Sequence, residues 1–188
     1  MARTAPVNMR SLVLRAMAVR DVPAVGRIDL RAFGSDGGWP ESAFQAELRE
    51  NRLARYFVVE ESPGSPLGYI GCWVIADAVH IVTIGVDPDA QRRGLGALLV
   101  MRALELALEA GVPGVTLECR ASNVSAQALY GKHGFQIVGR HRRYYADKED
   151  ALIMTRIDDD PAAARTRLQG QRHRHHRAYG AQVTQVGG

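Results

Sequence analysis

The sequence predicts a single α/β domain of the α+β kind, with a mixed, mostly antiparallel central sheet and helices on both faces. Two observations predict this class. Segments rich in β-branched and aromatic residues alternate along the chain with segments whose leucines and alanines recur at helical spacing. The resulting order is strand, two helices, three strands, helix, strand, helix and two strands, which gives a sheet of about seven strands.

Length and composition fit one folded domain. The chain has 188 residues, of which 46% are hydrophobic and 23% charged, as in ordinary globular proteins. The net charge of +4 suits an anionic ligand, and it is equally common as an aid to solubility. The net charge therefore does not decide whether the protein binds an anionic ligand.

The first half of the chain opens with a short strand at 12–16. Asp21 is a candidate N-cap for a helix that runs to about Phe33. The segment GSDGGWP breaks this pattern, and a second helix is predicted from Pro40 or Glu41. Three strands follow as YFVVEE, LGYIGCWVIA and VHIVTIGV, and tight turns between them indicate an antiparallel meander.

The second half continues with a helix that begins near Leu95 and stops at Gly111. GVTLECR then alternates two unlike faces, as a strand does. Ser122 or Asn123 can cap the following helix, which is predicted to end at Gly134. FQIVGRH and DALIMTRI are predicted as the last two strands of the domain.

We expect a flexible N-terminus at 1–11, one domain at 12–157 and a largely disordered basic tail at 158–188. The tail has few large apolar residues to offset the entropy of ordering it. Residues 161–188 contain five arginines and no carboxylate, so weak contact with RNA or the ribosome and a simply solvated tail are both open.

Other classes of site and location are disfavoured. The two cysteines form no metal-binding pattern, which indicates reduced core thiols, and the HRHH cluster lacks a scaffold, so no metal is expected. No leader-like apolar segment or membrane-length run is present, and we expect a cytoplasmic protein without membrane or DNA partners.

The stretch VDPDAQRRGLGALL carries the chemistry of the sequence. A P-loop fails because no lysine follows the glycines, and a dinucleotide fingerprint needs a small residue where Leu99 stands. The third interpretation is a pyrophosphate site, in which Gly94 and Gly96 leave first-turn amides uncovered while Arg92 and Arg93 add positive charge. An ordinary glycine-rich helix start is the alternative.

Several motifs together resemble one family. QRRGLG is similar to the coenzyme A pyrophosphate motif Q/R-x-x-G-x-G/A of the GNAT acetyltransferase superfamily. LECRASN, ALYGKHGF and RRYY resemble its RimI-type branch, the bacterial ribosomal-protein-alanine N-acetyltransferases. The resemblance is strong over residues 80–157 and weaker back to residue 12. It implies the GNAT fold and acetyl-CoA as co-substrate.

The resemblance also implies where acetyl-CoA binds. Its pantetheine would pair with the end of the third meander strand, at Ile84, Gly85 and Val86, and the amide near Val86 could stabilise an oxyanion. Asn123 matches a further coenzyme contact. The pyrophosphate would be wrapped by the loop and the helix start, at Arg92, Arg93, Gly94, Leu95, Gly96 and Ala97.

Two residues match the family's acid and base. Glu118 matches the proton acceptor for the attacking amine, and Tyr130 the proton donor to the departing thiolate. From the residues alone, a solvated sheet face for Glu118 and a core position for Tyr130 remain open. Cys119 has the opposite strand parity from Glu118, which favours direct transfer in a ternary complex over an acetyl-cysteine.

For the acceptor, the resemblance implies the N-terminal α-amino group of a protein, with a small-subunit ribosomal protein beginning with alanine as the first candidate. Broader acetylation of protein N-termini, lysines or small amines is the enzymatic alternative, and an acyl-CoA-sensing or ribosome-binding module the non-enzymatic one. Tyr144 and Tyr145 are candidates for a peptide groove. GSDGGWPES departs from the family's more compact turn, which predicts a different acceptor entrance.

Overall fold

A computed structural model describes residues 10–34 and 38–186, apart from the side chain of residue 10. The predicted flexible segment 1–11 lies outside the described residues up to position 9. Its last two residues are not flexible, because Arg10 and Ser11 begin the first strand and pair with the strand at the far end of the chain.

The elements follow the predicted order and then continue. The strands are β1 Arg10–Ala16, β2 Ala54–Glu60, β3 Pro66–Ile75, β4 Ala78–Val86, β5 Gly114–Arg120, β6 Gln136–His141, β7 Ala151–Ile157 and β8 Ala181–Val186. The helices are α1 Val22–Phe33, α2 Glu41–Glu50, α3 Leu95–Ala110, α4 Val124–Lys132 and α5 Pro161–Tyr179. The described residues thus form eight strands where the sequence predicts about seven.

All eight strands belong to one sheet, in the order β6-β7-β5-β4-β3-β2-β1-β8. The pairs β4–β5 and β1–β8 are parallel, and the other described pairs are antiparallel. This confirms the mixed, mostly antiparallel sheet. The meander β2–β3–β4 forms the middle of the sheet, as its tight turns predict.

Helices pack on both faces of the sheet, also as predicted. One core contains α1 and α2 side chains such as Val25 and Phe44, packed with Tyr56 and Tyr69 of the meander. The other and larger core is built around the buried leucines of α3, with Tyr130 of α4 and Leu168 of α5. The two faces of β5 therefore belong to different environments.

The prediction of a disordered tail at 158–188 is wrong for the described part of that segment. Asp160 caps α5 by accepting hydrogen bonds from two backbone amides, and Ala164, Leu168 and His175 form a narrow buried stripe. β8 pairs in parallel with β1. The composition argument failed because a helix can dock through one narrow stripe, and a strand can dock through backbone hydrogen bonds that composition does not reveal.

Cys72 and Cys119 are buried free thiols, as expected of core cysteines. None of the described helices is long and apolar enough to cross a membrane.

Candidate active site

The centre of the sheet contains a gap between β4 and β5. The two strands pair from Ala78 and Gly114 as far as Ile81 and Leu117, and there the ladder ends although both strands continue. Val82 is an extra residue opposite β3, since Gly71 pairs with Thr83 and Cys72 with Ile81. Such a bulge bends its strand. Beyond this point the sheet is open between the last residues of β4 and β5.

The end of β4 exposes backbone polar groups to this gap. The amide of Asp87 donates to the carbonyl of Leu67 on the β3 side, at 2.9 Å. Because N–H and C=O groups alternate between the two edges of a strand, those of Ile84 and Val86 point away from β3 and into the gap. Gly85 has another role: a Cβ there would lie 2.6 Å from the Tyr69 ring, so this glycine admits close packing.

The loop before α3 holds a row of unused donors. Within the described part of the chain, none of the six consecutive backbone amides from Arg92 to Ala97 donates a hydrogen bond. Gly94 has φ +79°, a left-handed conformation that glycine adopts readily, and it is the N-cap of α3. Leu95 has a buried side chain, so only its backbone can face a ligand. The helix dipole and six free donors are features that suit the binding of an anion.

The two arginines of the loop differ. Arg92 is exposed and has φ +62°, a strained value for a residue with a side chain. Arg93 forms an ion pair with Glu61, and its Nε is buried without a hydrogen-bond partner among the described residues. Arg92 is thus the freer positive charge, while Arg93 also ties the loop to the end of β2.

Glu118 is the first residue of β5 beyond the end of the ladder with β4. Its carboxylate accepts a hydrogen bond from His80 Nε2 of β4, at 2.8 Å. This bond is the main cause that lowers the pKa of Glu118 below its usual value, and the nearby His141 adds to it. The side chain retains 18% exposure, so the carboxylate is ionised and reachable from solvent.

Tyr130 lies on the opposite face of the sheet. Its ring is buried beside Phe135, at 5.7 Å between centroids, and its hydroxyl makes no hydrogen bond to any described residue. Burial raises the pKa of Tyr130, and the neighbouring Cys119 raises it further. By strand parity Glu118 projects from the other face of the sheet.

Asn123 is the N-cap of α4 and is one of the two residues predicted to cap this helix. Its side-chain carbonyl accepts from the amide of Ala126 at 3.0 Å, and the residue is exposed. The side-chain NH2 group is thus the part of Asn123 that can still reach a ligand.

The β6–β7 loop forms the wall beside Glu118. Tyr144 is exposed and stacks on His141 at 5.5 Å, and it contacts Tyr145 edge to face. The Arg120 guanidinium lies 4.0 Å over the Tyr145 ring, and burial raises the pKa of Tyr145 to about 12. Of the segment GSDGGWPES, residues 35–37 lie outside the described residues, so the predicted change at the acceptor entrance is not described there.

Sequence reasoning missed three contacts of this site. His80 lies within a run of strand-forming residues, and only its pairing with β5 reveals its contact with Glu118. Glu61 is a surface carboxylate until the fold brings it to Arg93. His175 of α5 reaches Gly94, a contact excluded in advance by the expectation of a disordered tail. Among the described residues, no cluster of three metal-ligating side chains is found.

Comparison with known proteins decides the family. The model of the acetyltransferase (GNAT) family matches residues 23–135, which include the gap, the loop and both predicted catalytic residues.

The chain belongs to the GNAT acetyltransferase family.

Several similar proteins within the GNAT family are RimI enzymes, which confirms the RimI-type resemblance. The chain is 37% identical to "N-alpha-acetyltransferase RimI" of Mycobacterium tuberculosis, over 86% of this chain and 99% of that one. It is 33% identical to the ribosomal protein bS18-alanine N-acetyltransferase of Escherichia coli K12, over 75% and 94%. The crystal structure of the E. coli ribosomal-protein-S18-alanine N-acetyltransferase matches with TM-score 0.70 and 31% identity, over 79% of this chain and 96% of that one. The protein is accordingly a GNAT acyltransferase.

Proposed function

We propose that the protein transfers the acetyl group of acetyl-CoA to the N-terminal α-amino group of a protein, by direct attack in a ternary complex. A ribosomal protein beginning with alanine is the preferred acceptor. The observation that carries the proposal is the row of six unused amides beside an open gap that leads to Glu118. The names of the RimI relatives support the class of acceptor. This acceptor implies a cytoplasmic enzyme.

The residues present fit acetyl-CoA. Six free N–H donors and the exposed Arg92 match the oxygens of a diphosphate, and Arg93 adds charge beside them. The unpaired backbone of Ile84 and Val86 offers both donors and acceptors to the amide groups of pantetheine. The side-chain NH2 of Asn123 is a further donor. When bound, acetyl-CoA supplies an acetyl group activated as a thioester.

The proton transfers fall to Glu118 and Tyr130. An α-amino group has a pKa of about 8 and attacks only when neutral, so Glu118 accepts its proton, directly or through water. The lowered pKa keeps Glu118 in the accepting form at neutral pH. Tyr130 provides the proton that the departing thiolate needs, and its raised pKa keeps the phenol protonated until then.

Transfer between the two substrates needs no enzyme-bound acetyl group. Cys119 is on the face of Tyr130, away from Glu118, and burial raises its pKa to about 11. A thiol with such a pKa is hardly ionised at neutral pH and is a poor nucleophile.

The acceptor is tested with acetyl-CoA and matched peptides, read by mass spectrometry. One peptide begins Ala-Arg with a free N-terminus, and its partner has the same sequence with a blocked N-terminus and one added lysine. Free polyamines complete the panel. We expect acetylation of the first peptide at its α-amino group. Faster acetylation of the blocked peptide or of the polyamines would overturn the proposed acceptor, and no acetylation at all with any acceptor would favour a sensing module.

We also propose weak RNA contact through the outer face of α5. That face is exposed and basic, and it includes Arg174 and Arg177. Its test is RNA binding at rising salt. The double variant Arg174→Glu with Arg177→Glu should bind RNA less tightly than the wild type does. The control is Arg49→Glu with Arg52→Glu on the α2 side, which has the same change in charge and should bind RNA as tightly as the wild type. Salt-independent binding, or equal loss in both variants, would refute the contact.

A further inference from the structure

The last turns of α5 contact the loop that begins α3. Nε2 of His175 lies 3.0 Å from the carbonyl oxygen of Gly94, and the imidazole is buried. A carbonyl oxygen can only accept, so Nε2 carries the hydrogen and donates it. Burial lowers the pKa of His175, which fits a neutral imidazole in this place.

Gly94 is shaped by this contact. A Cβ on Gly94 would lie 2.5 Å from His175 Nε2 and 2.6 Å from Cδ2 of Tyr179. The two rings also pack on each other, with centroids 4.8 Å apart. The left-handed φ is one reason for a glycine at this position. The second is that the His175 and Tyr179 rings leave no space for a Cβ.

α5 is fixed on α3 along its length, so the contact is not that of a loose end. Leu168 is buried in the larger core, and Arg172 forms an ion pair with Glu105 of α3. The same Glu105 accepts from Gln185 of β8, at 2.5 Å. Two described elements beyond the family match at 23–135 therefore hold His175 in place.

The direction of the contact shows what it does to the loop. The peptide between Gly94 and Leu95 is planar and trans, so its C=O and N–H point in opposite directions. His175 donates to this C=O, which also accepts from the Leu98 amide of α3 at 3.2 Å, and the Leu95 N–H therefore points away from α5. That N–H is one of the six unused donors. α5 thus orients this donor without covering it.

The loop has reason to need such support. Arg92 has a strained positive φ, and six adjacent amides have no partner among the described residues, so the shape of the loop depends on contacts with its surroundings, of which the Arg93–Glu61 ion pair is one. A binding loop held in its bound conformation loses less entropy when the ligand binds.

We infer that His175 is a positioning residue for the coenzyme: its hydrogen bond to Gly94 holds the Arg92–Ala97 loop in the form that binds the diphosphate. This inference rests on the proposed function, since it requires acetyl-CoA at that loop. It makes α5 part of the coenzyme site, although no residue of α5 needs to touch the coenzyme.

The test compares two full-length variants that both fill the buried space. His175→Leu removes the donor, and His175→Gln keeps one. Each is measured for the KM of acetyl-CoA, for kcat at saturating peptide and for the Kd of CoA by calorimetry, with circular dichroism as the check of folding. His173→Ala, on the exposed side of α5, is the control.

We expect His175→Leu to raise the KM for acetyl-CoA and the Kd for CoA about fivefold, the effect of one ordinary hydrogen bond, with kcat nearly unchanged. His175→Gln should restore most of the affinity, and His173→Ala should match the wild type. If His175→Leu does not fold, His175→Asn replaces it, because its amide is too short to reach Gly94.

Unchanged affinity in the folded donor-free variant would overturn the inference. Tighter binding would also overturn it, because α5 would then obstruct the site. The double variant Arg92→Glu with Arg93→Glu separates this from failure of the proposed site. If the double variant binds CoA as the wild type does, the site itself is wrong. If it binds weakly while His175→Leu binds normally, only the role of His175 is wrong.

Discussion

The two faces of β5 place similar chemistry in opposite surroundings. Glu118 stands on a partly exposed face, with His80 hydrogen-bonded to it and the aromatic β6–β7 loop beside it. Tyr130 and Cys119 lie on the other face, buried in the larger core. The first environment lowers the pKa of a carboxylate, and the second raises the pKa of a phenol and a thiol.

This difference bears on the proposed roles. A carboxylate held ionised can accept a proton, and a phenol that is protonated at neutral pH has one to give. In the proposed mechanism, both act on the substrates in the gap between β4 and β5. The following changes test each face, from the largest expected effect to the smallest.

Glu118→Gln should have the largest effect. Loss of a general base typically costs 10² to 10⁴ in rate, and we expect kcat to fall about 10²-fold to 10³-fold. The loss should be greatest near and below neutral pH, where the acceptor amine is mostly protonated. The measurement is kcat against pH from 6 to 9, with Glu50→Gln on exposed α2 as control. Unchanged rates across that range would remove Glu118 as the base.

Tyr130→Phe should lower kcat about tenfold, by removing the proton donor, and leave the Kd for CoA unchanged. Tyr56→Phe, a buried tyrosine of the other core whose hydroxyl contacts Glu47, is the matched control. Calorimetry gives the Kd and steady-state rates give kcat. Wild-type kcat in Tyr130→Phe would leave this residue a packing role only.

His80→Ala should change the pH profile more than the maximum rate. Its hydrogen bond is the main cause of the lowered pKa of Glu118, so without it that pKa rises. The carboxylate then becomes protonated at a higher pH, and the acid limb of the kcat/KM profile shifts to higher pH. His80→Gln, which keeps a donor, should move it less. An acid limb at the wild-type pH in both variants would contradict an effect of the His80–Glu118 hydrogen bond on the pKa of Glu118.

Cys119→Ala should have the smallest effect, less than about threefold in kcat, because a thiol with a raised pKa is a weak nucleophile. Mass spectra of the wild type incubated with acetyl-CoA alone should show no acetyl group on Cys119. An acetylated Cys119 that then transfers its group to peptide would require a two-step mechanism.

Local signals account for what could be predicted from sequence. Gly111 stops α3 in the left-handed conformation, and Asn123 caps α4, as their residue types predict. The strand bounds of GVTLECR agree with β5. The glycines and arginines of QRRGLG stand at the start of α3, where free amides are found. Each of these features depends on a few neighbouring residues.

Long-range contacts account for what could not be predicted. The His80–Glu118 bond joins two strands separated by α3, and His175 meets Gly94 from the other end of the domain. The β4–β5 ladder ends beside the bulge at Val82, which no residue type predicts. α5 was missed because its polar composition hides a stripe of three buried side chains.

The pairing of β1 with β8 has a consequence for how the molecule is made. Arg10 pairs with Ala181, so β1, which is translated first, can pair with β8 only after nearly the whole chain has been translated. Such distant partners raise contact order and slow folding. α5, which carries His175, is likewise translated after every other described helix. If His175 supports the loop as inferred, full affinity for the coenzyme is acquired late, after strands β1 to β7 have been translated.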